Sequence, residues 1–319
     1  MNVNRRKFLI RSGGAGLGLI VGGKLAWNNS SDSEIANAKS VTQPLLRFGV
    51  LADTGTGSTQ QYAVAHTLLK QHQKSPLDLV LLAGDNIYTN GEFSKIESVF
   101  TLPYQDLLKN GVKFYACLGN HDVLSDVKNG DKISNQQVDY PNFHMQGKRY
   151  YTFRKGDVQF FGTETNSLID PKDSSRIEQI AWLDRELGKS TAKIKIVFGH
   201  HPPYSAGLYG INNLLIKDIS SILTKHKVPL WINGHDHSYQ RSKPIDGVTY
   251  LTSGGGGAPL HPLFFHQDWL DFAKSIHSCA TVDVYAHQLV ITGIDLDANV
   301  IDRATISISI AKHGIEQVG

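Results

Sequence analysis

Sulfur is scarce in this chain. Its 319 residues include two cysteines and two methionines. There is no Cys-x-x-Cys pair, so neither cysteine belongs to a zinc-type or dithiol redox motif. Cys117 and Cys279 could form at most one bridge. Cys117 sits in an apolar run, and the preferred reading is two separate buried thiols. Long hydrophobic runs are also missing. The uncharged stretch 12–23 is shorter than the roughly 20 apolar residues that a membrane-spanning helix needs, so no stable membrane span is expected. A one-sided charge is the third absence. Five of the 32 basic and two of the 29 acidic residues lie in 1–38, which leaves 27 of each in 39–319. A neutral body offers no general electrostatic attraction to nucleic acid, and no nucleic-acid partner is expected.

The excess positive charge is concentrated at the N-terminus. Asn4-Arg5-Arg6-Lys7-Phe8-Leu9 precedes a weakly hydrophobic, glycine-rich stretch from Ser12 to Val21. Paired arginines before such a stretch resemble a twin-arginine export signal, with Ala36-Asn37-Ala38 as the small-x-small cleavage site. The other reading is a basic anchoring segment. The expected organisation is a signal over 1–38, a polar linker over 39–45 and one domain over 46–319. The protein is then an exported one, periplasmic or extracellular, with the export machinery as its partner, and is expected to act as a monomer.

The chain does contain five short clusters of oxygen and nitrogen donors. They are Asp53-Thr54-Gly55, Gly84-Asp85-Asn86-Ile87-Tyr88, Gly119-Asn120-His121-Asp122, Gly199-His200-His201 and Gly234-His235-Asp236-His237. Four directly follow apolar runs, such as Leu79-Val80-Leu81-Leu82 and Ile194-Lys195-Ile196-Val197-Phe198. Such runs read as buried strands, which places the donors in loops at strand ends, where open α/β sheets bind ligands. Strands are expected at 46–51, 78–82, 113–117, 194–198 and 229–232, helices near 59–73, 177–187 and 213–226, and a hairpin around Lys155-Gly156-Asp157. Residues 124–147 read as a surface excursion. After His237 the pattern is β-rich, with one short helix near 268–276. Two β-rich layers covered by helices fit one α/β domain.

Asp, Asn, His and Tyr without cysteine form a hard-to-borderline ligand set suited to oxygen chemistry at a charged metal centre. Two adjacent hydrolytic metals need a shared carboxylate to offset their repulsion, and Asp85 is the natural bridge. His235 and His237 lie two apart, so in extended backbone both project to one side, one toward each metal.

Taken in order, the clusters resemble the calcineurin-like metallophosphoesterases. Asp53-x-Gly55, Tyr88 at the end of Gly-Asp-x-x-Tyr and Val197-x-x-His200 resemble the purple acid phosphatases of that superfamily. Arg149-Tyr150-Tyr151, Thr165-Asn166 and Trp182-Leu183 resemble its small tartrate-resistant branch. The resemblance implies a four-layer αββα sandwich of two mixed β-sheets flanked by helices, with the metal site at the strand C-terminal loops. It implies Asp53, Asp85, Tyr88 and His237 around a first metal, and Asp85, Asn120, His200 and His235 around a second. A phenolate is a hard donor that stabilises Fe(III), and the second metal would be divalent Fe, Zn or Mn. Tyr88 as a packing aromatic beside a Mn or Zn pair is the competing reading.

The function expected is hydrolysis of small phosphomonoester substrates by a metal-held hydroxide, with an acidic optimum. Asn120, His121, His201 and Tyr209 would contact the substrate. His121 is the first candidate to protonate the leaving alcohol, with Asp122 orienting its imidazole, and His201 is the second. The mammalian tartrate-resistant enzymes carry a further histidine in the following loop, where Leu208-Tyr209-Gly210 stands here. A phosphodiesterase or nucleotidase on the same scaffold is the alternative, with a non-catalytic phosphate receptor and a redox iron centre behind it.

Overall fold

Leu46–Leu51 (β1) and Leu79–Ala83 (β2) are almost wholly buried, as expected of parallel strands covered on both faces. They belong to a computed structural model that describes residues 43–129, 133–264 and 266–308. The expected signal over 1–38 and the linker as far as residue 42 lie outside the described residues, which form one unit beginning at Gln43.

β1 pairs in parallel with β2, and β2 with Lys113–Cys117 (β3). On its other side β1 pairs antiparallel with β11 (Ser278–Val284), which leads to β12 (Gln288–Asp295) and β13 (Val300–Ser307). The second sheet has the order β10-β8-β9-β7-β6-β5-β4. Its strands are β4 (Tyr151–Lys155), β5 (Val158–Gly162), β6 (Ile194–Phe198), β7 (Leu230–Asn233), β8 (Tyr239–Ser242), β9 (Thr249–Ser253) and β10 (Leu270–Lys274). β5, β6, β7 and β9 run parallel, and the rest of this sheet is antiparallel. Both sheets are therefore mixed.

Alternation assigns the side chains to layers. Phe160, Ile196, Phe198, Leu230, Ile232 and Leu251 point from the second sheet into the main core with Phe48, Val50, Leu79 and Leu81. Phe48 meets Phe160 edge-on, ring centres 5.3 Å apart. Their sequence neighbours Phe161, Val197, Trp231 and Tyr250 point the other way, into a second cluster under helices. Helix α1 (Thr59–Lys74) sends Val64 and Leu68 onto the first sheet, and helix α2 (Arg176–Lys189) sends Leu183 and Leu187 onto the second. Ser58 caps α1, accepting from the Gln61 N–H. The result is the four-layer arrangement expected from the resemblance.

Two expectations need correction. Residues 268–276 are not a helix. Leu270–Lys274 is an edge strand paired with β8, because a half-exposed strand needs apolar residues on one face only. The excursion 124–147 is not confined to the surface: it forms short helices at Leu124–Asn129 and Ser134–Val138, and it buries Phe143 and Met145 in the main core. Cys117 and Cys279 are separate, buried and unbridged, as read from the sequence. No described helix is long and apolar enough to cross a membrane.

A buried ion pair clamps one edge of the two sheets together. Arg241 of β8 donates Nε (2.7 Å) and a second nitrogen (2.9 Å) to Asp302 of β13, which also accepts from the Tyr239 hydroxyl (2.9 Å). Asp271 of β10 takes the remaining guanidinium nitrogen. Replacing Asp302 by Ala leaves a buried cation with half its partners, so Asp302→Ala is expected to lower unfolding stability by about 3 kcal/mol. Urea unfolding of the metal-free protein measures this, and an unchanged midpoint would show that the clamp contributes nothing.

Candidate metal centre

All five donor clusters meet where the parallel strands of both sheets end. Asp53 follows β1, Asp85 follows β2 and Asn120 follows β3. His200 follows β6, and His235 and His237 follow β7. Backbone hydrogen bonds tie the loops pairwise: Asp53 N to Gly84 O (3.0 Å), Tyr88 N to Gly55 O (2.8 Å) and Gly234 N to His200 O (3.0 Å). Asp53, Asp85 and His235 have φ of 58°, 54° and 69°. Three non-glycine residues in the left-handed region at one place mark a backbone held under strain by its surroundings, as functional sites often are. Two glycines allow the carboxylates in: a Cβ on Gly119 would lie 2.1 Å from Asp85 Oδ1, and one on Gly234 would lie 2.4 Å from Asp53 Oδ2.

Donors held about 2.1 Å from one ion stand roughly 3.0–3.4 Å apart, from octahedral to tetrahedral angles. The side chains already have this spacing. Tyr88 Oη lies 2.9 Å from Asp85 Oδ2, 3.1 Å from His237 Nε2 and 3.4 Å from Asp53 Oδ1, and His237 Nε2 is 3.5 Å from Asp53 Oδ1. In the second set, His200 Nε2 lies 3.0 Å from Asn120 Oδ1, 3.2 Å from His235 Nδ1 and 3.4 Å from Asp85 Oδ2. Asp85 Oδ2 belongs to both sets, while Asp85 Oδ1 accepts from the His121 N–H at 2.9 Å. The imidazoles are oriented from behind: His200 Nδ1 binds Ala83 O (2.9 Å) and His237 Nδ1 binds Pro259 O (2.6 Å). Each would then present Nε2 to an ion, the carbonyl being the usual second contact of a ligating histidine. The seven side chains fit two ions sharing one carboxylate.

Electrostatics points the same way. Burial, then the charges of Asp53 and Asp85, push the Tyr88 phenol far up. Without a cation it stays a neutral donor to Asp85. Burial opposes charge on Asp85, yet the field and hydrogen bond of His200 outweigh burial and hold its carboxyl below the ordinary range. His200 is opposed by burial and raised by Asp85, ending at about 9. Burial pushes His201 and His235 well down.

His201 is buried and lies beside His200 and His235 within ligand range. Its tautomer argues against ligation. Thr165 Oγ1 accepts from the N–H groups of His200 (3.2 Å) and His201 (3.0 Å), so its own proton goes to His201 Nδ1 at 2.8 Å. Nε2 then carries hydrogen and is a donor to an anion. His121 stacks obliquely on Tyr88, ring centres 4.5 Å apart, and its Nδ1 donates to Thr89 O at 2.7 Å. Tyr209 stacks on His235 at 3.7 Å.

Asp122 does not have the place expected of it. Its carboxylate is buried and accepts from the backbone N–H groups of Gly119 (2.8 Å), Ile87 (3.0 Å) and Asn86 (3.1 Å). The orientation of His121 comes from Thr89 instead. Asp122 binds the second cluster to the third, and the loop acid of the sequence is a structural bridge. Burial, then Asp85, push its carboxyl up against those three donors. Sequence reasoning also missed Asp236, fully buried between the donor histidines His235 and His237. It accepts from Ser205 Oγ and from the Leu208 N–H (2.9 Å), so it holds the 203–209 loop. His261 lies flat on His237, ring centres 3.9 Å apart. The only signal for Asp236 was its place inside Gly-His-Asp-His.

Fold and donor set together define a metallophosphoesterase. The calcineurin-like phosphoesterase family pattern matches residues 46–239. Purple acid phosphatase 7 of Arabidopsis thaliana is 30% identical over 66% of this chain and 70% of that protein. Tartrate-resistant acid phosphatase type 5 of Homo sapiens is 25% identical over 79% and 88%. The chain belongs to the calcineurin-like phosphoesterase family and, within it, to the purple acid phosphatases. Among solved structures, GAP50, the anchor in the inner membrane complex of Plasmodium, superposes with a TM-score of 0.72 at 18% identity, covering 83% of this chain and 89% of its own. Purple acid phosphatase PPD1 of yellow lupin gives 0.69 at 18%, over 82% and 53%. At such identities the likeness establishes the fold alone.

The Asp122 bridge is testable. Asp122→Ala strands three buried N–H groups, with an expected loss of about 2–3 kcal/mol and weaker metal retention, although Asp122 belongs to neither donor set. Thermal unfolding with and without added metal, together with elemental analysis, measures both. Unaltered stability and metal content would refute the bridge.

Proposed function

We propose that the chain is a two-metal phosphatase that hydrolyses phosphate monoesters in acid, outside the cytoplasm. One observation carries the reading: a single oxygen, Asp85 Oδ2, is common to two complete donor sets, and a tyrosine hydroxyl completes one of them. Asp53, Asp85, Tyr88 and His237 would hold Fe(III), for which a phenolate is a fitting donor; Asp85, Asn120, His200 and His235 would hold divalent Fe, Zn or Mn. When bound, such a pair supplies the positive charge that neutralises phosphate oxygens and acidifies a hydrolytic water enough for attack in acid.

The chain's own residues supply the rest. His201, fixed by Thr165 as an Nε2–H donor, is placed to hold a phosphate oxygen. His121, with Nδ1 committed to Thr89 O, has Nε2 left to carry the proton to the departing alcohol. Backbone hydrogen bonds tie the donor loops to one another, so phosphate would be bound in one orientation and in-line attack would need little reorganisation. The paired arginines and the Ala-x-Ala site of residues 1–38 support a place outside the cytoplasm.

Metal analysis of purified protein should find two ions per chain. A visible band from iron–tyrosinate should vanish in Tyr88→Phe, and an unchanged colour would remove iron from the first set. Asp85→Ala should lose both ions and phosphomonoesterase activity by more than about a thousandfold. A folded variant retaining both would end this reading. Faster turnover of bis-substituted than of monosubstituted phosphates would favour the phosphodiesterase alternative.

A further inference from the structure

The loop that carries Tyr209 is built as a platform. Tyr209, Leu208 and Ile211 are 51%, 50% and 44% exposed, and Phe264 of the adjoining segment is 58% exposed. Of these, Tyr209 touches a donor residue, its ring lying on His235, while Phe264 lines a separate hollow with Leu270 and Phe272. The platform is held from below. Asp236 accepts from the Leu208 N–H at 2.9 Å, and Phe264 N donates to Ala206 O at 2.9 Å, which joins the two segments. His261 N donates to His237 O at 3.0 Å. The Tyr209 ring is seated on His235 with ring centres 3.7 Å apart and a 25° tilt, and it meets His261 near its edge at 5.7 Å. Among the described residues its hydroxyl makes no hydrogen bond, so stacking holds the ring. The two segments, 202–212 and 254–264, contain no Asp, Glu, Lys or Arg.

A ring fixed on a metal-facing histidine neighbours whatever the second donor set binds. A flat apolar group gains from such a face, at ring–ring stacking of about 0.5–1.5 kcal/mol beyond area burial. A polyphosphate chain gains no such stacking, and neither segment offers it a Lys or Arg to meet its charge. We infer that the ring of Tyr209 forms a subsite for the leaving group and selects monoesters of apolar, ring-bearing alcohols over those of polar or polyanionic ones. The contact is made by the face of the ring, not by its hydroxyl. The inference rests on the phosphatase reading and names its substrate class.

Two measurements on the metal-loaded protein test it. Benzyl phosphate and glycerol 1-phosphate have leaving alcohols of similar acidity, so their kcat/KM ratio reads contact rather than chemistry. Benzyl phosphate should be favoured, Tyr209→Ser should raise its KM about five- to tenfold, and Tyr209→Phe should keep the preference. Calorimetry with the non-hydrolysable benzylphosphonate and methylphosphonate reads the same subsite without turnover, and wild type should bind the benzyl compound more tightly by a like factor. Equal binding of both phosphonates, equal losses for both esters in Tyr209→Ser, or loss of the preference in Tyr209→Phe would overturn the subsite and leave the phosphatase reading standing. Preferential binding of benzylphosphonate without hydrolysis of any monoester would sink the phosphatase reading and keep the subsite. Binding of neither phosphonate would sink both.

Discussion

Two carboxylates, Asp53 and Asp85, are buried beside each other at the meeting point of both sheets, and the site depends on how that charge is managed. A buried carboxylate is costly unless it is paired and hydrogen-bonded. Asp53 takes the His235 N–H on both oxygens, at 3.2 and 3.0 Å, and Asp85 takes the His121 N–H. Each bond crosses from one donor loop to another. The charges that would bind cations therefore also lock the loops together, and the strained backbone at Asp53, Asp85 and His235 is held by those bonds. Ligand geometry and fold stability are coupled through the same few atoms, which is a form of preorganisation.

The donors were legible in the sequence for a physical reason. Each stands at the end of a strand that must be apolar to be buried, next to a glycine that lets a neighbouring loop approach, so the signal is a polar triplet breaking an apolar run. The strands beneath them read correctly because burial on both faces leaves continuous hydrophobic stretches. What was not legible acts through partners distant in sequence. Asp122 is an ordinary loop acid until the fold brings three N–H groups to it. Asp236 looks like spacing between two histidines until Ser205 and Leu208 close on it. Thr165 determines the tautomer of His201 across 36 residues. β10 misled for a different reason, because an edge strand of five residues, exposed on one side, has no periodicity that separates it from a short helix.

The fold by itself decides less than the donors do. Similar architectures occur in the Plasmodium protein described as an anchor and in the lupin phosphatase, so a shared sandwich is compatible with different roles. What argues for hydrolysis here is local: seven side chains at ligand spacing, imidazoles oriented by carbonyls, and one oxygen common to both sets. Keeping that arrangement carries a cost in buried charge and backbone strain.

The structure divides recognition between two kinds of element. Groups that would hold phosphate come from the ends of parallel strands, where backbone hydrogen bonds tie the loops of both sheets together. Groups that would meet the rest of the substrate come from the 202–212 and 254–264 segments, whose own side chains are free of formal charge. Asp236 connects the two, since it is buried between the donor histidines His235 and His237 and holds the Leu208 N–H. A change of side chain at 208 or 209 can thus alter the outer surface while the backbone that carries it stays tied to the metal-facing loop. Selectivity can change there without disturbing the carboxylates on which the fold of the site depends.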